Sequence, residues 1–395
     1  MNNIKATFLI LFILVFYNSC NVYSQQSYTI QTGAEQPELY FPLLKNKKVG
    51  LMGNQTSTVG NKHLVDFLLE NGISLKFAFA PEHGFRGEVE RGEKFSNDKD
   101  LKTGLPLYSL YGKNSKADSL VNSVDVLIFD LQDVGARFYT YISSMHEIME
   151  LALKHNKKVI ILDRPNPNGD QVDGPVRKDD KFKSFVSFHK IAMIHGLTVG
   201  ELALMINGEG WLANGQKCDL TVIPVKNYDH LMHYKLPVVP SPSLPNEVSV
   251  RLYASLCLFE ATDISVGRGT DYPFQVVGYP DPLFGEFTFT PGVKSGMQIH
   301  VEQKGELCYG IDLRDINLLD EKFTLKYLLE FYSKFASKDK FFTNPDFFDK
   351  LAGTDELRKQ IVAGWSEERI RKSWESDLIE YKKMRKKYLL YKDFE

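Results

Sequence analysis

A glutamate and a histidine, Glu82 and His83, stand where the apolar run Phe77 to Ala80 gives way to a loop in "FAFAPEHGFRGEVERGE". A carboxyl that protonates a leaving oxygen near neutral pH needs its pKa raised, and the apolar end of a strand supplies the desolvation that raises it. His83 then orients the acid or meets a substrate. A plainer reading weighs as much: Glu82 pairs with Arg86 or caps the next turn, since perturbed sites also serve structure. Gly84 and Gly87 favour a bent loop in either case.

Similar polar bursts follow other apolar runs: Asn54-Gln55-Thr56, Gln132-Asp133 with Arg137, and Asp163-Arg164-Pro165-Asn166. Arg137, Arg164 and Arg268 each lie in a glycine- or proline-bearing polar segment, and a planar guanidinium is a natural receptor for a substrate carboxylate. The competing role for each is an ion pair with Asp133 or Asp163. Tyr139 and Trp211 are candidates to stack on a sugar face, or else are core aromatics.

Other chemistries lack their residues. "GLMGNQT" has no G-x-G-x-x-G turn, no phosphate-cradling G-x-x-x-x-G-K-[ST] occurs, and G-x-S-x-G is absent. Ser96 to Lys99 and Ser187 to Lys190 match S-x-x-K, but the only K-T-G, Lys102 to Gly104, lies almost against the first match rather than in a distant part of the chain. "HEIME", His146 to Glu150, lacks the second histidine of a zinc helix and is expected to meet solvent beside Met145 and Met149. No metal or organic cofactor is expected.

The elements that must position these residues show in the hydrophobic pattern. "KKVGLMG", "SLKFAFA", "VDVLIFD" and "KKVIILD" are short runs apolar on both faces. "HLVDFLLENG" and the segment bearing Tyr141, Met145, Ile148, Met149 and Ala152 are helical. This alternation predicts a doubly wound α/β domain with a parallel sheet covered on both sides. Ligands of such sheets sit beyond the carboxyl ends of the strands, where every polar burst falls. The helix of "HGLTVGELALMINGEGW" closes that domain, assigned to residues 25–214. "CDLTVIPV", "LCLFEATDISVGRGT", "GEFTFTP" and "ELCYGIDL" are expected as strands of a smaller α+β domain over 215–395. Its last helix presents Ile370, Trp374, Leu378, Tyr381, Met384 and Tyr388 on one face, with "KKMRKK", Lys382 to Lys387, on its solvated side.

The chain has 395 residues, 43% hydrophobic and 25% charged, an ordinary globular composition. With 48 Lys and Arg against 50 Asp and Glu there is no cationic excess to hold nucleic acid by its phosphates. The opening "MNNIKATFLILFILVFYNSC" has one lysine and then an apolar run from Ala6 to Tyr17, too short to cross a bilayer, which is the layout of an export signal over 1–24. Cleavage after Ser24 and lipidation of Cys20 are the two endings. Either puts the protein outside the cytoplasm, in the periplasm or anchored to the outer membrane, and Cys20 is the only expected membrane contact. Cys218, Cys257 and Cys308 cannot all pair within one chain, and are expected to be buried, with one optional bridge.

Taken together, "GNQTS", "FAPEHGFRGE", "DLQDVGARFYTY", "LDRPNPNGDQVDGP", "HGLTVGELA", "PSPSLPN" and "SVGRGT" occur in one order from Gly50 to Thr270. In this the chain resembles the exo-acting β-N-acetylmuramidases of peptidoglycan recycling, a family formerly grouped as a domain of unknown function. The resemblance implies a Rossmann-like domain with the active site in the cleft against a second domain. It also implies release of terminal N-acetylmuramic acid from the non-reducing end of peptidoglycan fragments such as a muramyl-glucosamine disaccharide. Glu82 matches the suspected catalytic glutamate of P-E-H-G, and Asp133 to Tyr141 and Ser265 to Thr270 match the lining of the cleft. Ala261 and Asp263 depart from the family's glycine and asparagine near Arg268. On this footing Glu82 is the proton donor with His83 beside it, and Asp133, Asp163 or Asp130 is the second group, with Asp133 foremost. Arg137 or Arg164 would hold the lactyl carboxylate, and Asn54, Gln132, Tyr139, Asp163, Asn166 and Arg268 would contact the muramyl saccharide. The rival activities are another exported cell-wall hydrolase, an amidase or esterase, and a noncatalytic muropeptide-binding lipoprotein.

Overall fold

Six apolar runs become parallel strands in the computed structural model, which describes residues 29–82, 84–86, 98–110, 115–292 and 301–395. They are β1 (Lys48–Gly53), β2 (Ser74–Ala80), β3 (Pro106–Ser109), β4 (Val126–Asp130), β5 (Lys158–Leu162) and β6 (Asp219–Ile223). Their spatial order is β3-β2-β1-β4-β5-β6, with Asp98–Lys99 added antiparallel beyond β3. This is the doubly wound Rossmann order, and its direction reverses between β1 and β4. Those two strands are in register, Leu51 opposite Ile128 and Gly53 opposite Asp130. Both are buried on both faces apart from exposed Lys48, as a sheet covered by helices requires.

The covering helices are α1 (Pro37–Leu44), α2 (Leu64–Glu70), α3 (Ala117–Asn122), α4 (Tyr141–Lys154) and α5 (Val199–Gly208). Local chemistry fixes their starts. The His63 ring accepts from Val65 N at the head of α2, and Thr198 and Glu201 form a reciprocal capping box at the head of α5. His63 Nε2 donates to Asn54 O at 2.9 Å, so the same ring ties the loop after β1 to α2. Burial pushes this imidazole down to about 4, which keeps it neutral.

Two expectations are corrected here. Strand β6 lies beyond the boundary drawn at 214, yet it pairs in parallel with β5 from Lys158↔Asp219 to Leu162↔Ile223, so it belongs to the first sheet. The stretch "LCLFEATDISVGRGT" holds no strand. Its start completes helix α6 (Glu247–Leu256), followed by a 3-10 turn from Cys257 to Ala261. Asn246 caps α6 by accepting from Ser249 N, and every residue from Ser249 to Leu256 is buried. A helix buried all round loses the one-sided stripe by which a helix is recognised.

The rest of the second half is a small antiparallel sheet with helices. Strands β7 (Val276–Tyr279), β8 (Phe287–Phe289) and β9 (Cys308–Asp312) pair in the order β7-β9-β8. Helices α7 (Lys326–Lys334), α8 (Pro345–Ala352), α9 (Glu356–Val362) and α10 (Glu367–Lys386) complete it. The α10 face is as expected: Ile370, Trp374 and Tyr381 are buried and Leu378, Met384 and Tyr388 pack against the core. Arg385 leaves the solvated side of that helix, however, because its guanidinium is buried on Gly196 O and Asp393. Residues from both halves, Phe129 and Ile161 with Phe331 and Trp374, share one core. Cys218, Cys257 and Cys308 are buried free thiols, and among the described residues no helix is long and apolar enough to cross a membrane.

At the end of β4 the buried Asp130 carboxylate takes two bonds from Arg164, Nε at 2.5 Å and Nη2 at 2.9 Å. Both side chains are essentially sealed from water. Breaking a buried pair leaves an uncompensated charge. Asp130→Ala should therefore lower the unfolding free energy by about 3–5 kcal/mol in urea denaturation; a loss under about 1 kcal/mol, the scale of a solvated pair, would contradict this role.

Candidate active site

Glu82 begins the loop after β2, and its environment is built by the segment after β4. Thr140 Oγ1 donates to Glu82 Oε2 at 3.0 Å, fixing the carboxyl of a partly buried side chain. The next residue, Tyr141, opens α4; its hydroxyl accepts from Asn54 Nδ2 at 2.9 Å and donates to Pro240 O at 3.2 Å. Tyr139 Oη donates to the same carbonyl at 2.9 Å. Burial pushes both phenols above their usual range, so they serve as fixed hydrogen-bonding groups rather than as acids.

These residues face a cavity of about 170 Å³. From the first half come Glu82 and the run Phe138 to Tyr141. From the second come Ser241, Ser243 and Leu244, then Tyr253, Glu260, Arg268 and Phe274, and finally Phe347 and Leu351 of α8. The aromatic walls are mutually braced: Tyr139 lies edge-on to Tyr141 at 4.7 Å, and Tyr253 edge-on to Phe274 at 5.0 Å. Aromatic faces with a few fixed polar groups suit a sugar ring.

Among the described residues, Arg268 is the cationic side chain lining this cavity. Its Nη1 donates to Ser243 Oγ at 2.6 Å, its Nη2 pairs with Glu260, and its guanidinium lies 4.8 Å from the centre of the Phe274 ring. Nε is buried without a hydrogen-bond partner. The backbone that presents it is unusual. Gly267 and Gly269 both have φ of +77°, and a Cβ on Gly269 would meet Gly292 O at 2.1 Å, which is why "SVGRGT" needs its glycines. Phe274, beneath the guanidinium, has φ of +56°, a costly conformation for an aromatic residue that is held by its N–H on Val266 O.

Several residues expected at the site are instead framework. Arg137 is fully buried, its Nη1 and Nη2 donate to the carbonyls of Pro175, Ile191, Leu351 and Ala352, and it does not line the cavity, so it is not placed to receive a substrate carboxylate. Arg164 is taken by Asp130 and Thr58 O. Asp163 accepts from Arg164 N, Thr198 Oγ1, Gly200 N and Tyr391 Oη, which joins the end of β5 to the head of α5. Burial pushes its carboxyl up to about 6 against the pull of those donors.

Asp133 is also buried. Its Oδ2 accepts from Gly135 N at 2.7 Å and lies 3.2 Å from His195 Nε2, and it does not line the cavity. Gln132 donates to Asp133 O and Pro165 O, while Asn166 donates to Leu197 O and accepts from Asn168 N. Asn54 reaches the cavity only through Tyr141. His83 lies outside the described residues. Of the residues expected at the site, Glu82, Tyr139 and Arg268 line one cavity.

One further expectation, that His146 meets solvent, fails on packing, and Trp211 takes the core role of its two readings. His146 is buried, with Nδ1 3.2 Å from His189 Nε2, and burial pushes it down to about 4. Trp211 stacks on His189 rather than at the cavity. Arg86, the partner offered to Glu82 in the plainer sequence reading, bonds Asp66 and Asp100. Glu260 is the site residue that sequence reasoning passed over, inside "LFEATD" eight positions before Arg268. Its signal was a lone carboxylate in an otherwise apolar run.

The chain matches the family models described as exo-beta-N-acetylmuramidase NamZ, N-terminal, over residues 49–248 and C-terminal over residues 251–391. It is 38% identical over 384 residues to the peptidoglycan beta-N-acetylmuramidase NamZ of Bacillus subtilis, covering 92% of this chain and 91% of that one. Two crystal structures of DUF1343 family proteins from Bacteroides fragilis have the same fold. One superposes with a TM-score of 0.85 at 45% identity, covering 93% of this chain and 100% of the other. The second gives 0.78 at 30% identity, covering 92% and 99%.

If Arg137 is framework, Arg137→Met leaves its carbonyl acceptors without a donor, each worth about 1–3 kcal/mol. The variant should lose more than about 3 kcal/mol of stability in urea denaturation. Unchanged stability together with a selective rise in KM would return Arg137 to the role of substrate receptor.

Proposed function

The chain belongs to the exo-beta-N-acetylmuramidase NamZ family, and from that membership and the Glu82 cavity we propose how it works as an exo-lytic glycoside hydrolase. It releases terminal N-acetylmuramic acid from the non-reducing end of peptidoglycan fragments such as a muramyl-glucosamine disaccharide. The observation that carries the mechanism is the Glu82 carboxyl, held by Thr140 at the mouth of an aromatic-walled cavity that also contains Arg268. In our reading Glu82 gives its proton to the glycosidic oxygen as positive charge develops at the anomeric carbon. Arg268 receives the lactyl carboxylate of muramic acid, since Arg137 and Arg164 are committed to other partners. Tyr139 and Tyr253 form the walls against the sugar ring.

The enzyme is expected to free N-acetylmuramic acid from the defined disaccharide, identified by mass spectrometry. Glu82→Gln should lower kcat by about 100- to 10,000-fold while still binding the disaccharide. Release of free peptide or an acyl group from a muropeptide would indicate an amidase or esterase instead, and ligand binding without turnover in the unaltered protein would indicate a binding protein.

We also propose that the protein is exported, to the periplasm or to the outer membrane. The layout of residues 1–24 supports this: one lysine, the apolar run Ala6 to Tyr17, then small and polar residues. If Cys20 carries the anchor, palmitate label enters the protein and disappears in Cys20→Ala; if cleavage follows Ser24, no label enters and the mature chain begins at Gln25.

A further inference from the structure

A glycosidase acid is commonly paired with a second carboxylate, which faces the sugar carbon as it becomes cationic and assists the attacking group. The aspartates that follow the strands do not supply it. Asp130 is bound by Arg164, Asp163 by several donors, and Asp133 points to the Gly135 turn and His195; none of them lines the cavity that contains Glu82.

Glu260 does. Among the described residues Glu82 and Glu260 are the carboxylates of this cavity, one on the wall from the first half of the chain and one on the wall from the second. The Glu260 side chain is 7% exposed, and a 3-10 turn, Cys257–Ala261, carries it directly off the buried end of α6. Its partner Arg268 is fixed on three sides, by Ser243, by Glu260 and by the Phe274 ring. Contact with a guanidinium favours the charged form of a carboxylate. The backbone that aims Arg268 includes a left-handed phenylalanine, Phe274, an outlier of the kind that clusters at functional sites.

Resting on the glycosidase reading above, we propose that Glu260 is the second catalytic carboxylate, the anion that meets the anomeric carbon while Glu82 protonates the leaving oxygen. The bond from the anomeric carbon to the glycosidic oxygen breaks with its electron pair on the oxygen, which takes the Glu82 proton. Glu260 balances the charge left on the sugar. Water then adds to that carbon and gives one of its protons to the Glu260 carboxylate, and exchange with solvent carries a proton back to Glu82, so the sum is simple hydrolysis. Arg268 has a double task, holding Glu260 in place and offering its remaining N–H groups to the lactyl carboxylate.

The leaving group separates the two roles. The para-nitrophenolate of a para-nitrophenyl β-muramide departs without a proton, so Glu82→Gln should be strongly impaired on the disaccharide but within about 10-fold of the unaltered enzyme on the aryl substrate. Glu260→Gln should lose at least about 100-fold in kcat on both substrates, because its charge is needed whatever leaves. Glu260→Asp keeps the charge opposite Arg268 and should lose at least about 10-fold in kcat with KM little changed, which covers the case in which the glutamine variant does not fold. Kinetics of Glu260→Gln or Glu260→Asp within about 5-fold of the unaltered enzyme, or a rise in KM alone, would overturn the assignment and leave Glu260 as a positioning partner of Arg268. Turnover of neither substrate by the unaltered enzyme would overturn the glycosidase reading, and this assignment with it.

Discussion

The cavity depends on a cation that never touches it. Arg137 springs from the loop after β4, in the same turn that delivers Phe138 to Tyr141 to the cavity wall, and its guanidinium closes on Leu351 O and Ala352 O at the end of α8. Leu351 and Phe347 of that helix form the opposite wall. A charged donor to buried carbonyls is worth more than a neutral one, and the fork fits several acceptors at once. The last turn of a helix leaves carbonyls unsatisfied, and Arg137 supplies the donors they lack. Gly353, at φ of +73°, ends α8 without a side chain because a Cβ there would meet Arg137 Nη2 at 2.5 Å. Sequence segments more than two hundred positions apart are thereby held at one rim.

Around that staple the polar residues divide by how many partners they already have. Asp130 with Arg164, Asp163 with its four donors, and Asn166 within its turn are internally satisfied, and they fix where the carboxyl ends of β4 and β5 lead. Buried polar groups of this kind stabilise only while every bond is made, which makes them rigid supports and poor ligands for a substrate. The residues that border open space are fewer: Glu82, bonded by Thr140, and the Glu260–Arg268 pair, in contact with Ser243 and Phe274. A larger, more apolar groove of about 320 Å³ lies on the other side of the segment around Leu244. Its acids are engaged as well, Asp170 by Arg251 and Lys322 and Glu247 by His233 and Lys235.

The four inner strands β2, β1, β4 and β5 were legible because each is a short run apolar on both faces, punctuated by a polar burst, whereas the edge strand β3 was not foreseen. Glu82 at the end of β2 followed from the same logic. The number of partners each polar group finds was not legible, because residue type says what Arg137 can bind but not that Leu351 and Ala352 will bring their carbonyls to it. Nor was Glu260 legible. An all-buried helix has no polar face to set its period, so most of α6 had no expected element, and the acid on the turn at its end, inside a stretch expected as a strand, had no expected direction. Strand β6 fell outside the first domain for a related reason: after α5 the chain runs through an irregular turn, and only the hydrogen bonds to β5 show which sheet it joins.

The most direct test of the account is the crystal structure of Glu82→Gln with a muramyl-glucosamine disaccharide bound. The account predicts the muramyl ring against the wall that Tyr139 and Tyr253 form together, the lactyl carboxylate on Arg268, the glycosidic oxygen against residue 82, and the anomeric carbon facing Glu260. Density for the muramyl ring in the apolar groove lined by Leu231, Tyr234 and Arg251, with the Glu82 cavity empty of sugar, would contradict it.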